Sequence, residues 1–168
     1  EHWEKLGVPA SKMVFGVPFF GFQFEGTNAP GTGFNGKATY LDYKEIMRID
    51  GQTFAFDSVS MEPYAFTANT FTTLETPQSV AFKANWILEN NYAGAMIWDI
   101  SQDVMDDYKQ PLLDTLSTIL LRQDSGNPQG IAERGVNLRN NRNNESRANA
   151  ATNSLARPAY IYDALGHG

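Results

Sequence analysis

The chain has 168 residues, 42% of them hydrophobic and 19% charged, which predicts one globular domain with one sizeable core. Its net charge of −6 argues against a nucleic-acid partner, since phosphate binding needs clustered Lys and Arg side chains. The longest apolar runs are far too short to span a bilayer, so we expect no membrane partner. With no cysteine and only His2 and His167, a disulfide framework, a zinc site or a Ser-His-Asp triad is not expected, and the sequence predicts no metal and no cofactor.

The first half of the chain begins with a helix end, "HWEKLGVPA", followed by the apolar run "SKMVFGVPFF", which predicts a strand covered on both faces. Between Phe22 and Glu75 we expect a small α+β unit of Gly-rich loops. Its elements would be one short helix in "YLDYKEIMRI" and short strands around "TFAFD", "EPYAF" and "TFTTLE". Its tyrosines, Tyr40, Tyr43 and Tyr64, are expected mostly in the core.

The next segment, "TPQSVAFKANWILENNYAG", predicts a helix with Thr76 as N-cap, Pro77 at the first helical position and Gly94 just past the end. A strand in "AMIWDI" follows, and "KQPLLDTLSTILLRQ" predicts a last amphipathic helix. Because a helix separates two apolar strands, those strands should be parallel members of one sheet. Two strands do not make a stable parallel sheet, so the chain resembles the end of a larger α/β fold. A (β/α)8 barrel fits this pattern better than an open sheet.

Two further segments carry weaker signals. "GTGFNG", Gly31–Gly36, matches a dinucleotide-binding pattern but follows a proline and opens no long helix, so we interpret it as a loop. Residues 124–168 are rich in Asn, Arg and Gly, with too few large apolar residues for a core of their own. This Asn/Arg-rich tail is expected to be either flexible or docked to an acidic partner surface, with "AYIYDAL" as its anchor.

The segments "LGVPASKMVFGVPFFGF" and "TPQSVAFKANWILENNYAGAMIWDISQD", with the α+β unit between them, resemble the C-terminal part of glycoside hydrolase family 18, the chitinases and their relatives. The resemblance covers about residues 3–122. It implies the fold class α/β: residues 1–123 would be the C-terminal part of a (β/α)8 TIM barrel, with a chitinase insertion domain at about residues 23–75. It also implies a chitin or other N-acetylglucosamine-containing glycan as ligand and favours a secreted location. The remainder of the barrel or a neighbouring protein chain would be the protein partner.

Three residues are candidate sugar contacts by this resemblance. Trp98 matches the tryptophan that forms the floor of the −1 sugar site; without the resemblance it could equally be a core residue. Asp99 could accept hydrogen bonds from a sugar hydroxyl or bond only local backbone N–H groups. Glu45 matches an insertion-domain glutamate, and could contact sugar, pair with Arg48 on the same helix, or be an ordinary exposed carboxylate.

The sequence also departs from the family. Phe20 and Phe22 stand where the family often has a tyrosine and a sugar-contacting arginine. The catalytic D-x-x-D-x-D-x-E motif does not occur, since Asp103 and Asp106 are not followed by its glutamate. We therefore predict that this chain contributes to a chitinase-like sugar groove but carries no catalytic acid and is inactive alone. The alternative is a non-catalytic carbohydrate-binding or structural component of a larger assembly.

Overall fold

The computed structural model describes residues 2–121 and 160–163. The first half of the chain contains α1 (His2–Lys5), a 3-10 turn (Ala10–Lys12), β1 (Val14–Pro18), β2 (Phe20–Glu25), β3 (Ala38–Asp42), α2 (Tyr43–Ile46), β4 (Thr53–Asp57), β5 (Glu62–Phe66) and β6 (Thr70–Thr73). The second half contains α3 (Pro77–Glu89), β7 (Gly94–Trp98), α4 (Pro111–Leu121) and β8 (Tyr160–Asp163). No helix within these ranges has the length and apolarity needed to cross a bilayer.

The strands β1, β7 and β8 form a parallel sheet in that order. The connection from β1 to β7 contains the antiparallel strands and then helix α3, and α4 follows β7. Strands of the parallel sheet therefore alternate with helices, as the sequence predicts. The pairing of β8 with β7 was not predicted, because only a tail was expected after residue 123. The rest of that tail, residues 124–159 and 164–168, lies outside the described residues, so its expected flexibility or docking stays a prediction.

The two faces of the parallel sheet differ. Val17, Ala95 and Ile97 are buried against α3 and α4, where they pack with Ala84 and Leu116 in the main core. The opposite face, which we call the open face, presents four residues that the register places in neighbouring pairs: Gly16 beside Met96, and Pro18 beside Trp98. Among the described residues this face is covered by no helix, and Gly16 and Trp98 are exposed while Pro18 and Met96 are partly buried. The predicted cover on this second face therefore stays a prediction.

The strands β3-β2-β6-β5-β4 form an antiparallel sheet in that order. The α+β character predicted for this region is therefore correct, but β2 was missed and Tyr40–Asp42 are strand rather than helix, so α2 begins only at Tyr43. The sheet packs one face on α2 through Ile46, Ala65 and Leu74. Gly21 is required where β2 crosses β6, since a Cβ there would lie 1.7 Å from the carbonyl oxygen of Thr73.

Helix α3 begins as predicted and ends earlier. Thr76 is the N-cap, Pro77 opens the helix, and Thr76 and Ser79 form a reciprocal capping box. The helix ends at Glu89, and Asn91 adopts a left-handed conformation with φ of 55°. Gly94 therefore opens β7 instead of ending the helix, because Asn tolerates this conformation nearly as well as Gly.

A buried ionic cluster fastens α3 to the antiparallel sheet. Glu75 is 3% exposed and forms an ion pair with Lys83, whose Nζ also lies 3.0 Å from Glu62 Oε1 on β5. The hydroxyl of Ser79 donates to Glu75 Oε2 at 2.6 Å. Burial raises the pKa of Glu75, and Lys83 and Ser79 oppose that rise. The cluster thus links α3, which packs in the main core, to β5 of the antiparallel sheet by an ion pair.

Candidate functional site

Trp98 lies at the carboxyl ends of two adjacent parallel strands. It ends β7 beside Pro18 of β1, and its carbonyl oxygen accepts a 2.8 Å hydrogen bond from the N–H of Phe19. The Trp98–Asp99 peptide bond is cis. The side chain projects from the open face and is 53% exposed, so Trp98 is not a core residue in the described part of the chain. An exposed indole at this end of a parallel sheet is available for a ligand.

Asp99 begins the loop that follows β7 and is bonded locally. Its Oδ1 accepts a 2.8 Å hydrogen bond from the N–H of Ser101, and its own N–H donates to Gln102 Oε1 at 2.6 Å. The other carboxylate oxygen accepts no hydrogen bond from the residues that the structure describes. Asp99 thus makes the local backbone contacts that the sequence allowed for, while one oxygen stays available for a ligand.

Gln102 and Tyr40 belong to the same site, although the sequence singled out neither for it. Gln102 is 5% exposed, and its Nε2 donates to the hydroxyl of Tyr40 on β3. Gln102 also accepts a backbone hydrogen bond of 2.9 Å from Lys44. These contacts hold the loop after β7 against the antiparallel sheet. The two residues are 62 positions apart, and no local pattern could have paired them.

Tyr40 lies among the candidate carboxylates and the two phenylalanines that depart from the family pattern. It is 42% exposed, contrary to the core position predicted for the insert tyrosines, whereas Tyr43 is buried as expected. Partial burial raises the pKa of its hydroxyl, and the negative charges of Asp42, Asp99 and Glu45 act in the same direction. The rings of Phe20 and Phe22 lie 4.9 and 5.7 Å from the ring of Tyr40.

Glu45 has a structural contact at the start of α2. Its Oε2 accepts a 2.8 Å hydrogen bond from the N–H of Asp42, completing a capping box. It does not pair with Arg48, which instead forms an ion pair with Asp106. Glu45 is exposed beside Tyr40, so a sugar contact stays a prediction that this geometry permits.

Asp103 lies four residues after Asp99 in the same loop, but it does not belong to the exposed site around Trp98. It is fully buried, and its Oδ2 accepts hydrogen bonds from the N–H groups of Leu112 and Leu113 at 2.8 and 3.0 Å. Burial raises its pKa, and those backbone bonds oppose the rise. Asp103 therefore anchors the first turn of α4. Across residues 2–121 and 160–163, no three His, Cys, Asp or Glu side chains are grouped so as to hold a metal ion.

Comparison with known proteins identifies the relatives of this arrangement. The sequence model of the glycosyl hydrolases family 18 matches residues 1–103. An endochitinase of Manduca sexta is 32% identical over 142 residues, covering 68% of this chain and 25% of the relative. The chain thus spans about a quarter of that relative's length.

Two solved structures resemble the fold. The Group IV chitinase of Ostrinia furnacalis in complex with allosamidin has a TM-score of 0.65 at 27% identity, over 72% of this chain and 38% of that one. Human YKL-39 in the presence of chitooligosaccharides has a TM-score of 0.63 at 25% identity, over 71% of this chain and 38% of that one.

Proposed function

Since the chain belongs to glycosyl hydrolase family 18, we propose that it forms one wall of a groove for β-1,4-linked N-acetylglucosamine polymers. The parallel sheet would be the last part of the family's (β/α)8 barrel, and the antiparallel sheet would be the insertion domain. The observation that carries this proposal is the exposed indole of Trp98 at the carboxyl end of β7. Ligand sites of (β/α)8 barrels lie at that end of the strands.

The open face supports the view that more of a barrel belongs beside this chain. Gly16, Met96 and Trp98 point to the side of the parallel sheet that α3 and α4 do not cover. Parallel strands are normally buried on both faces, and β1 and β8 each leave one edge of the sheet without a partner strand among the described residues. The partner would therefore be the remainder of the barrel, in the same polypeptide or in a neighbouring chain.

The sugar contacts would combine a ring surface with polar groups beside it. An indole face suits the apolar C–H face of a pyranose, and the free oxygen of Asp99 could accept a hydrogen bond from a sugar hydroxyl. Tyr40 on β3 lies near enough to Asp99 and to Glu45 on α2 for both carboxylates to raise the pKa of its hydroxyl, so these polar groups are close to one another. Complexes with allosamidin and with chitooligosaccharides are described for two of the structural relatives, which supports a glycan of this class as ligand.

Hydrolysis would need a catalytic acid from outside these 168 residues. The family's D-x-x-D-x-D-x-E motif does not occur in the sequence, so the chain alone should bind sugar without cleaving it. A non-catalytic carbohydrate-binding component is the second candidate. It is favoured by Phe20 and Phe22, which remove a hydroxyl and a guanidinium from the groove wall.

The test is binding of an N-acetylglucosamine hexamer by the 168-residue chain, measured by titration calorimetry. Trp98→Ala should weaken binding about tenfold, corresponding to about 1.4 kcal/mol, because the stacking surface is lost. Trp3→Ala is the matched control, since Trp3 is 63% exposed on α1 and should leave binding unchanged. Equal affinity of the Trp98→Ala variant and the wild type would refute the proposed site.

The two candidate functions predict different hydrolytic activity for a longer parent protein that contains this chain. A parent chain that also contains the catalytic glutamate should release labelled product from the hexamer, and the Trp98→Ala variant should release it more slowly. Binding without any product release by that parent would favour the non-catalytic component.

A further inference from the structure

A cavity lies on the far strands of the antiparallel sheet. Its volume is about 630 Å³, within the range of about 300 to 1,000 Å³ usual for small-molecule sites. Tyr64 of β5 and Phe71 of β6 lie in its wall, and Pro30 lines it from the loop between β2 and β3. Asp57 lines it from the end of β4, and Ser60 from the turn between β4 and β5. We call this space the distal cavity.

The lining of the distal cavity offers ring faces together with hydrogen-bonding groups. The rings of Tyr64 and Phe71 lie 5.5 Å apart at an interplanar angle of 36°. The Tyr64 hydroxyl accepts and donates no hydrogen bond within the described residues. Because this hydroxyl is not fully buried, it is accessible to a ligand in the cavity. Asp57 is oriented by the N–H of Val59 at 2.9 Å and by the hydroxyl of Ser60 at 2.7 Å.

The charges around the distal cavity select against anionic ligands. Glu62 lines the cavity beside Asp57. The nearby cation, Lys83, already forms ion pairs with both Glu62 and Glu75. A neutral ligand with an apolar face and hydroxyl groups at its edge can stack on the rings and donate hydrogen bonds to the carboxylates. A pyranose has both features.

A continuous aromatic row connects the distal cavity with the site around Trp98. The row runs from Tyr40 through Phe22, Phe24 and Phe71 to Tyr64, with successive ring centroids 5.7, 6.4, 6.3 and 5.5 Å apart. It crosses from β3 to β5, a distance of three strand spacings or about 14 Å. A glycan of several units is long enough to touch both ends of the row.

We infer that the distal cavity is a second sugar-binding site, which takes further β-1,4-linked pyranose units of the glycan held at Trp98. The inference rests on the proposed function and extends it from one ring contact to a path along the antiparallel sheet. It requires that long oligomers bind more tightly than short ones, because only a long oligomer contacts Trp98 and Tyr64 together.

The test is mapping of amide chemical shifts in the 168-residue chain during titration with N-acetylglucosamine hexamer and trimer. The hexamer should shift amides in two groups, one at residues 98–102 and one at residues 57–64. It should also bind at least about fivefold more tightly than the trimer, as expected when one ligand spans two contacts. Shifts confined to residues 98–102, with equal affinity for both oligomers, would overturn the second site and leave the proposed function standing. Absence of shifts in both groups would refute both.

Variants at Tyr64 separate the ring from the hydroxyl. Tyr64→Phe keeps the ring and its packing and should weaken hexamer binding about threefold, the effect of one hydrogen bond. Tyr64→Ala should weaken it about tenfold. Both variants should leave trimer-induced shifts at residues 98–102 unchanged, which also shows that the chain is folded. Tyr108→Ala is the control, because Tyr108 is 88% exposed and lies outside both sites. Wild-type hexamer affinity in Tyr64→Phe and Tyr64→Ala would contradict the inference.

Discussion

Replacement of Asp103 by alanine tests whether this buried carboxylate holds α4 in place. In the wild type, Oδ2 of Asp103 accepts the N–H groups of Leu112 and Leu113, and Gln110 Nε2 lies 3.3 Å from Oδ1. The carboxylate is 0% exposed. Alanine removes the acceptor and leaves these amides without a partner at the buried start of a helix.

The expected cost follows from these contacts. Loss of a capping acceptor costs about 1 to 2 kcal/mol, and a buried donor left unsatisfied costs about 1 to 3 kcal/mol. These two terms overlap, so Asp103→Ala should lower the free energy of unfolding by about 2 to 4 kcal/mol. Asp103→Asn keeps one carbonyl oxygen as acceptor and should cost less.

The pH dependence has a defined sign. Because burial raises the pKa of Asp103, the unfolded chain loses this proton at a lower pH than the folded chain. The stability contributed by the protonated carboxyl is complete below the ordinary aspartate pKa and is lost as pH rises through the raised folded pKa. The amide introduced by Asp103→Asn does not titrate, so the destabilisation that this substitution causes should become smaller as pH rises through this window.

The assay is urea unfolding followed by tryptophan fluorescence at several pH values. Asp106→Ala is the matched control, since the side chain of Asp106 is 80% exposed and, within residues 2–121 and 160–163, its one ion pair is with the half-exposed Arg48. It should change the free energy of unfolding by less than about 0.5 kcal/mol. If Asp103→Ala and Asp106→Ala had the same unfolding midpoint and slope, the anchoring role of Asp103 would be wrong.

Three further changes test other parts of the fold. Gly21→Ala should destabilise the antiparallel sheet by at least about 2 kcal/mol, because the new Cβ would meet the carbonyl of Thr73; a wild-type melting temperature would contradict this. Lys83→Met should cost about 3 kcal/mol by leaving Glu75 buried without its cation, with a smaller loss at low pH where Glu75 is protonated; a loss that does not vary with pH would count against the ionic explanation. Deletion of residues 124–168 removes β8 and should speed amide hydrogen exchange along β7 while leaving binding of the N-acetylglucosamine hexamer intact; loss of binding with unchanged exchange would show that the tail acts in the sugar site instead.

The sequence by itself determined the features that depend on neighbouring residues. Thr76 and Pro77 start α3 because a cap and a first-turn proline act within four residues, and the apolar run ending at Trp98 predicts β7 for the same reason. The parallel pairing of β1 and β7 followed from the helix between them. The family resemblance, carried by these same segments, was confirmed by the comparisons.

Only the tertiary structure decided which side of each element is covered and which distant residues meet. Asp99 and Asp103 have the same side chain in the same loop, yet one is half-buried at the candidate site and the other is fully buried under α4. Tyr40 joins Gln102 across 62 positions, and β8 joins β7 across more than 60. Such contacts depend on how elements distant in sequence pack together, and the burial of a side chain depends on all of its neighbours in space. A local pattern of residues therefore predicts neither the contacts nor the burial.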